Sequence, residues 1–562
     1  MSRRGLRGPV AVERLQAMAP ALGDLRSSRV WEAMVLLAAL AAFSIALAPA
    51  LKETGTPPGW DQAVHLRDSV VYERILIHPE WLSPDTLRAI LHGSEDHPLI
   101  TPSGYYPPFI PGVTALLYLV AGRTYETAMV TNIFFLGLLV WGVWGLGNTL
   151  AGRPVGMLAA LLVMASPGIR TNAWEYMLDL PLTAMVVVSV WSLLLTRGFE
   201  VRSRSLAFGI LCGAGMLTKW SYFLFLLAPV AMVLLAGLRE ARTAGAPCLP
   251  RLVNLGWTLL MALAIMAPYY APIFPILAKK TWVHAGGAAD GFTSSFSWES
   301  ASYHLKAIPR KLLGWPLTAA TLGGILAAER KRSATRRAEL FLLLWALSLY
   351  GIFTFAVANK QSRYLLPWVP VLLLGGSLGI LDLWRRRHQG ALGGLRATAA
   401  MLLLLLAAGG LWGDWDAPQT GDWKLPSVIR ALEQDLSERL PRGGAWKLGV
   451  IPDMREVNGP TVAYYAARRD LPVTVVQLVN RMKGHVAVEV GLDPFGRGDF
   501  YQTFQDYDYF LTKTGDSAVA PWQAVVPEMM RYFEARKDQF VELASFPLPD
   551  GSEMALYRRN DR

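Results

Sequence analysis

Residues 152–184 read GRPVGMLAALLVMASPGIRTNAWEYMLDLPLTA. Two apolar runs, 153–168 and 179–196, lie on either side of a polar segment that carries Glu175 and ends at Asp179. Similar runs recur along the chain, and about twenty apolar residues suffice for a helix to cross the roughly 30 Å hydrocarbon core of a bilayer. The stretch therefore predicts a polytopic α-helical membrane protein with acidic residues where a helix meets the bilayer surface.

The composition supports this prediction. Hydrophobic residues make up 53% of the 562 residues and charged residues only 17%, which lies outside the usual range of soluble proteins. The net charge of +11 comes largely from Arg in short loops between apolar runs. The positive-inside rule explains such loops better than a nucleic-acid partner does, so no nucleic acid is expected. Cys212 and Cys248 are the only cysteines, and no disulfide framework is expected.

The charge of the loops gives a topology of about eleven transmembrane helices. The N-terminal segment 1–30 and the Arg-rich loops are placed in the cytoplasm, and the large first loop 52–126 is placed outside. The Arg-rich loops are 197–204, 238–252, 329–338 and 384–396. The predicted spans are about 31–51, 127–150, 153–168, 179–196, 205–218, 220–237, 253–275, 311–328, 339–358, 363–383 and 397–412.

One apolar segment, at 105–122, is ambiguous because it is short and has three prolines near its start. If it crosses the membrane, Asp61 and Asp179 fall on opposite faces. If it lies in the interface or re-enters, both fall outside and every Arg-rich loop stays inside. The second interpretation is preferred, because it keeps the alternation consistent.

The composition changes after the last predicted span. The transmembrane module covers 31–412, and 413–562 is predicted to be a soluble α/β domain on the extracytoplasmic side. Its start, DWDAPQTGDWK at 414–424, is polar and rich in turn residues. Short strands are expected in AWKLGVIPD (445–453), LPVTVVQLV (471–479) and YDYFLTKTG (507–515), with helices near 425–440 and 522–537.

Asp61 lies in GWDQAVHL (59–66), about ten residues beyond the first apolar run and four residues before His65. A carboxylate at that depth would meet a substrate carried by a lipid, and it can accept a proton from an attacking hydroxyl. The alternative is an ordinary solvated carboxylate in an amphipathic loop. Position alone does not separate the two.

Glu175 and Asp179 are one helical turn apart and form a second acidic site. An Asp at the start of a helix is also a good cap, which is a purely structural explanation. On the preferred topology, however, both residues share the outer face with Asp61. Two acidic sites converging near one interface suit acid–base chemistry or a metal site.

Cations lie on the same predicted face. Lys219 interrupts a long apolar stretch in LTKWSYF (217–223), and Lys360 and Arg363 precede Tyr364. An ionisable residue at membrane depth is costly and suggests function, although snorkelling or interface anchoring would also explain these side chains. A lipid phosphate is the ligand that such cations would bind.

The order of these features resembles the GT-C superfamily of integral-membrane glycosyltransferases over residues 30 to 385. It is most similar to the group of dolichyl-phosphate-mannose protein mannosyltransferases and aminoarabinose transferases. The motifs that carry the resemblance are GWDQAVHL (59–66), GYYPPFIPGVTALLYLVAG (104–122), the stretch 152–184, GAGMLTKWSYFLFLLAP (213–229) and KQSRYLLPWVPVLLL (360–374).

The resemblance implies that a sugar is transferred from a polyprenyl phosphate to a hydroxyl acceptor outside the cytoplasmic membrane, with inversion. It implies that Asp61 is the general base and that Asp179 is a second catalytic carboxylate. Substrate contacts are expected from six residues: Lys219, Arg363, Tyr364, Glu175, His65 and Tyr106. The implied partners are the donor lipid, an acceptor of unknown class and membrane lipid.

Two positions depart from the family pattern. Asp-Glu is common where this chain has Asp61-Gln62, and Lys-Pro-Pro is common where it has Tyr106 before two prolines. The contact made by that Lys is therefore missing or supplied elsewhere, for example from loop 276–310, which contains Lys279, Lys280, Lys306 and Arg310. No cofactor is expected to be required. A divalent ion at His65, His78, His92 and His97 is possible, but the spacing matches no known metal motif.

Three other classes remain open. A transporter or lipid flippase would show paired halves and charges along a path through the membrane, whereas here no paired halves are evident and the charges lie at one face. A polysaccharide polymerase or ligase would normally have its large outer loop late in the chain, and here it comes first. An assembly protein that acts through the tail 413–562 would lose its activity with that tail.

Overall fold

The computed structural model is mostly helical, with one small sheet near the C-terminus. It describes residues 19–49, 57–81, 102–103, 106–285, 296–328, 333–357, 360–389, 392–409, 421–439, 446–479, 504–519, 523 and 525–560. His92, His97 and most of the predicted linker 414–424 lie outside these residues, and so do the side chains of Lys279 and Lys280.

Fifteen helices precede the C-terminal region within the described residues. They are α1 Ala19–Leu47, α2 Trp60–Ile77, α3 Phe109–Ala121, α4 Tyr125–Ala151, α5 Arg153–Ala165, α6 Pro167–Trp174, α7 Asp179–Leu195, α8 Arg202–Met216, α9 Tyr222–Thr243, α10 Leu249–Ala285, α11 Trp298–Ala307, α12 Trp315–Ala327, α13 Ser333–Gly351, α14 Trp368–Arg385 and α15 Gly393–Gly409. Short π-helical turns follow α11 and α13, and a 3₁₀ turn, Ser362–Leu365, precedes α14.

The prediction of a multi-pass membrane protein is supported, but the count of eleven crossings is not confirmed. In the described part of the chain, six helices are long and apolar enough to cross a membrane: α1, α4, α9, α10, α13 and α14. A seventh span is possible if α5 and α6, which meet at a bend of 60°, count as one broken span. Four more apolar helices, α3, α7, α12 and α15, are shorter.

The ambiguous segment 105–122 contains α3, a helix of 13 residues. At about 1.5 Å per residue it is roughly 20 Å long, which is shorter than the hydrocarbon core. It packs against α2, the helix that begins beside Asp61. Whether this segment crosses the membrane is not tested by its length, because α12, in the predicted span 311–328, also has 13 residues.

Glycines let two of the apolar helices pack closely. Gly324 of α12 faces Gly376 and Gly379 of α14, and a Cβ atom added at Gly379 would overlap the carbonyl oxygen of Gly324. Backbones approach this closely only where side chains are absent, as small-residue interfaces in membranes show. These glycines therefore fix the position of α14, whose N-terminal end follows Arg363.

The C-terminal region forms a mixed five-stranded sheet with the order β2-β1-β3-β5-β4. Strands β1, β2 and β3 are parallel, and β5 pairs antiparallel with β3 and β4. The three predicted strands and two predicted helices are confirmed, while α17, β4 and β5 were not predicted. The elements are α16 Leu425–Ser437, β1 Trp446–Val450, α17 Gly459–Arg468, β2 Val473–Gln477, β3 Tyr509–Lys513, α18 Val525–Glu534, β4 Phe540–Pro547 and β5 Glu553–Arg559.

This C-terminal region docks on α2 through α17. Asp470, just after α17, accepts hydrogen bonds from Arg74 Nε at 2.7 Å and from Arg123 Nη1 at 2.7 Å. Arg123 also pairs with Glu73 of α2 at 2.7 Å. The first loop and the C-terminal region are thus joined by a network of charges near the C-terminal end of α2.

Candidate active site

A cavity of about 300 Å³ lies where α2 and α7 begin, beside the turn after α8 and the 3₁₀ turn before α14. Seven of the eight predicted site residues line it: Asp61, His65, Tyr106, Asp179, Lys219, Arg363 and Tyr364. The same wall contains the apolar side chains Leu182, Leu224, Phe353 and Val357. Residues from five separate stretches of sequence therefore meet at one point.

Asp61 is held by two donors. Arg363 Nη2 donates to its Oδ2 at 3.0 Å, and the Tyr106 hydroxyl donates to its Oδ1 at 3.0 Å. Asp61 also lies in the first turn of α2, where the helix dipole favours an anion. Its side chain is 39% exposed, so the carboxylate remains accessible from the cavity.

The charges around Asp61 keep it ionised. Burial by itself raises the pKa of the Asp61 carboxyl, but the Arg363 charge, His65 and the hydrogen bonds from Arg363 and Tyr106 outweigh burial, and the pKa falls below its usual value. Burial lowers the pKa of Arg363, but Asp179 and Asp61 raise it above its usual value. The resting site is therefore a carboxylate paired with a guanidinium.

Asp179 and Lys219 form a second ion pair, with Lys219 Nζ 2.7 Å from Asp179 Oδ1. Asp179 is 1% exposed, and its Oδ2 has no hydrogen-bond partner among the described residues. Lys219 Nζ also lies 5.1 Å from the centre of the Tyr364 ring, within range of a cation–π interaction. Asp179 thus fixes the ammonium group at the cavity wall.

His65 lies one turn after Asp61 on α2, with its ring edge-on to Tyr106 at 4.4 Å between centroids. Burial lowers the pKa of His65 to about 4, so the imidazole is neutral near pH 7. A neutral ring contributes no charge to a bound phosphate. It shapes the cavity and supports Tyr106.

Glu175 is not in this cavity, and the structure places it in a second, larger one of about 820 Å³. It pairs with Arg455 of the C-terminal region at 3.4 Å, and burial raises the pKa of the Glu175 carboxyl. The large cavity is also lined by Arg170, Arg310 and Lys311, and it shares Gln361 and Arg363 with the small one. Arg363 therefore lies at the junction of the two cavities.

Several of these residues were not singled out by the sequence. Arg455 lies in the region predicted to be a separate domain, and Arg170 lies in the bent pair of helices. Arg310 was considered only as a substitute for a missing Lys. Lys360 does not enter either cavity wall, because its ammonium donates to the carbonyl oxygens of Phe353, Thr354 and Val357.

Among the described residues no group of three or more His, Cys, Asp or Glu could hold a metal ion. His65 and His78 are both on or beside α2, but His78 pairs with Glu80 at 3.0 Å, away from the cavity. The prediction that no cofactor is required is not tested by this geometry and stays a prediction.

The fold matches solved structures of membrane glycosyltransferases. ArnT from Cupriavidus metallidurans bound to undecaprenyl phosphate has a TM-score of 0.57 at 14% identity, over 94% of this chain and 98% of that one. Its apo form gives 0.54 at 14% identity and the same coverage. The chain shares its fold with these two structures. The archaeal oligosaccharyltransferase AglB from Archaeoglobus fulgidus, in complex with an inhibitory peptide and a dolichol-phosphate, has a TM-score of 0.51 at 12% identity. The match covers 94% of this chain and 74% of that one.

This shared fold agrees with the fold implied by the resemblance drawn from the ordered motifs. No protein-family model matches the sequence, and no curated protein sequence matches it. At 12–14% identity the shared feature is the fold, and function has to be argued from the site itself.

Proposed function

We propose that this chain is a glycosyltransferase that moves a sugar from a polyprenyl phosphate to a hydroxyl acceptor at the outer face of the cytoplasmic membrane. The observation that carries the proposal is the small cavity, which brings an accessible carboxylate and two cations together beside apolar side chains. A substrate with a lipid tail, a phosphate and a sugar matches that combination. The lipid phosphates bound to ArnT and AglB support the same donor class.

In this proposal Asp61 accepts the proton of the acceptor hydroxyl while the oxygen of that hydroxyl attacks the anomeric carbon. The bond from that carbon to the phosphate oxygen breaks, the polyprenyl phosphate leaves with the electron pair, and the configuration inverts. Asp61 is a weak base at rest because Arg363 and Tyr106 stabilise its charge. An alcohol loses its proton only as the new bond forms, so a weak base suffices late in the transition state.

Arg363 and Lys219 would stabilise the phosphate that leaves. Arg363 Nη2 lies 3.0 Å from Asp61 and can turn towards a bound phosphate, which would weaken its hold on Asp61 and raise the basicity of that carboxylate. Lys219 is fixed by Asp179 at 2.7 Å and adds a second positive charge. Preorganised cations at a developing negative charge are a major source of rate enhancement.

The two cavities would divide the substrates. The small one has the apolar wall and the base, which suits the donor, and the large one has Arg170, Arg310 and Lys311 near Glu175. Both reach Arg363, so an acceptor in the large cavity can approach the anomeric carbon of a donor in the small one. The class of acceptor is not specified by this arrangement.

The test is sugar transfer by the purified protein in lipid vesicles. Labelled polyprenyl-phosphate sugars are compared with nucleotide sugars, in the presence of native membrane extract as the source of acceptor. We expect transfer or slow hydrolysis from a polyprenyl-phosphate donor and a loss of about 100-fold or more in Asp61→Asn, which keeps the shape but not the charge.

The matched control is Asp470→Asn, which changes an exposed carboxylate in the docking network and leaves the cavity intact. It should transfer sugar at the wild-type rate. Full activity of Asp61→Asn would contradict the role of Asp61, and use of nucleotide sugars alone would contradict the donor class.

A further inference from the structure

The C-terminal region contacts the residue immediately before Asp61. Trp60 Nε1 donates a hydrogen bond to Asp453 Oδ1 at 2.9 Å, across 393 positions of the sequence. Trp60 is the first residue of α2 and Asp61 is the second. A contact that fixes Trp60 therefore fixes the first turn of the helix that carries the proposed base.

The backbone at Trp60 needs such a contact. Trp60 has a φ of +20°, a value that a bulky residue rarely adopts and that persists only where the surroundings enforce it. The preceding Gly59 is closely packed, because an added Cβ atom would lie 3.1 Å from Arg455 Cγ and 3.2 Å from the Arg455 carbonyl oxygen. The loop after β1 thus packs directly on this turn.

Asp453 is well placed to act as a fixed acceptor. Asp453 is 6% exposed, and its backbone N–H donates to the Ser517 carbonyl oxygen at 2.8 Å. The backbone N–H of Val519 donates to the Asp453 carbonyl oxygen at 3.1 Å. On the other side of Gly59, the Thr461 hydroxyl donates to the Pro58 carbonyl oxygen at 2.8 Å. The C-terminal region therefore holds the chain at both Pro58 and Trp60.

We propose that Asp453 is a positioning residue that orients Asp61 through Trp60, so that the C-terminal region completes the active site. The inference rests on the proposed function only in naming Asp61 as the base. Asp61 must keep its two oxygens aimed at Arg363 and Tyr106, and a rotation of the first turn of α2 would move both. Misplacement of a catalytic group by about 1 Å can cost 100-fold in rate.

The experiment compares four variants by steady-state transfer and by hydrogen–deuterium exchange of residues 57–66. Asp453→Ala removes the acceptor, Trp60→Phe removes the donor but keeps an aromatic ring, and the third variant combines both. Asp453→Asn keeps an acceptor oxygen.

We expect kcat to fall about 10- to 100-fold in Asp453→Ala and in Trp60→Phe, with KM for the donor unchanged. The double variant should lose no more than either single one, because both remove the same bond. Asp453→Asn should remain near wild type.

Exchange provides a readout that does not need activity. The amides of Gln62 and Ala63 donate to the Gly59 carbonyl oxygen, so loosening of this turn should raise exchange in 57–66 for Asp453→Ala and Trp60→Phe. Asp470→Asn weakens docking elsewhere on α2 and should change neither kcat nor exchange in 57–66. Thermal unfolding of each variant checks that the protein remains folded.

The outcomes separate the two proposals. Unchanged exchange in Asp453→Ala and Trp60→Phe overturns the positioning role, whatever the activity. Normal kcat in these variants, while Asp61→Asn is inactive, also overturns it and leaves the proposed function standing. An equal fall in kcat in Asp470→Asn would show a general effect of docking and would likewise overturn the positioning role of Asp453. Full activity of Asp61→Asn would overturn the proposed function, and the exchange data would still decide the contact.

Discussion

At the scale of single residues, the buried pair of Asp179 and Lys219 separates stability from function. Lys219→Met leaves Asp179, which is 1% exposed, without its cation, and loss of one partner of a buried pair costs about 3–5 kcal/mol. Asp179→Asn/Lys219→Met removes both charges and should recover most of that stability. It should still be inactive, because the cation at the cavity wall is missing.

Denaturant unfolding in detergent measures the free energy of unfolding of each variant, and the vesicle transfer assay measures its activity. If Lys219→Met unfolds at the same denaturant concentration as wild type, the pair is not important for stability. If the double variant transfers sugar normally, Lys219 does not bind the leaving phosphate.

His65 gives the site a predictable dependence of stability on pH. Its pKa in the folded protein is about 4, below the usual value of about 6.5, so the unfolded chain binds more protons between those two values. Stability is therefore complete above about pH 6.5 and falls as the pH is lowered towards 4. At pH 5 the loss from His65 is on the order of 2 kcal/mol.

His304 is also buried, and burial lowers its pKa to about 4, so wild type alone cannot isolate His65. The measurement is the melting temperature of wild type and His65→Gln at pH 5 and pH 7. His65→Gln should lose less stability on acidification than wild type does. An identical loss in the two proteins would show that His65 titrates normally.

Sequence reasoning selected candidate residues that the structure brings to one cavity, but it did not predict their pairing. Seven of the eight candidates line one cavity, because ionisable residues beside apolar helices are few and each is costly. The bond between Arg363 and Asp61 spans 302 positions, and no local pattern encodes it. Asp453 and Arg455 were missed because their contacts depend on how the C-terminal region docks.

At the scale of secondary structure, the contact between α12 and α14 makes a sharp prediction. Gly379→Ala would place a methyl group against the Gly324 carbonyl oxygen, and overpacking of this kind costs about 1–3 kcal/mol. Because α14 follows the turn that carries Arg363, transfer activity should fall as well. Thermal unfolding and the vesicle assay measure the two effects.

Gly256→Ala is the matched control. Gly256 lies inside α10, and a Cβ atom added there has nothing within 4 Å. Alanine is the better helix former by about 1 kcal/mol, so this variant should be at least as stable as wild type. A loss of stability equal to that of Gly379→Ala would mean that the loss in Gly379→Ala does not come from the α12–α14 contact.

Periodicity predicted most helices, yet it missed the break between α5 and α6. The predicted run 153–168 is mostly apolar, but Pro167 has no amide to donate and is favoured at the first turn of a helix. The chain therefore ends α5 at Ala165, begins α6 at Pro167 and bends by 60°. Strands β4 and β5 were missed because neither alternates apolar and polar residues along its length.

At the scale of the whole molecule, the C-terminal region packs on α2, the helix that begins beside the small cavity. Charges of the first loop and of the C-terminal region meet across the boundary, as Arg123 does with Asp470 at 2.7 Å. Composition marks the change from membrane to soluble sequence, but it cannot show where a soluble region docks. That depends on the shapes and charges of two folded surfaces.

The shared cavity also bears on the orientation of the whole chain in the membrane. Asp61 and Asp179 line one cavity, so they lie on one side, as the preferred topology requires. Ser203 lies at the far end of the hairpin of α7 and α8, about 25 Å from Asp179 along a helix of 17 residues. The first loop and the C-terminal region should therefore face outside, and Ser203 should face the cytoplasm.

Cysteine labelling tests this orientation, provided that the cysteine is exposed. His65 and Tyr176 are each 1% exposed and are poor sites, whereas Glu80, Ser203 and Asp538 are exposed. In a background without Cys212 and Cys248, an impermeant maleimide added to intact cells should label Glu80→Cys and Asp538→Cys. Ser203→Cys should react only after the cells are opened.

Labelling of Ser203→Cys in intact cells would show that the topology is inverted and that the cavity faces the cytoplasm. A cytoplasmic cavity would face nucleotide-activated sugars, and the proposed donor class would then have to be abandoned.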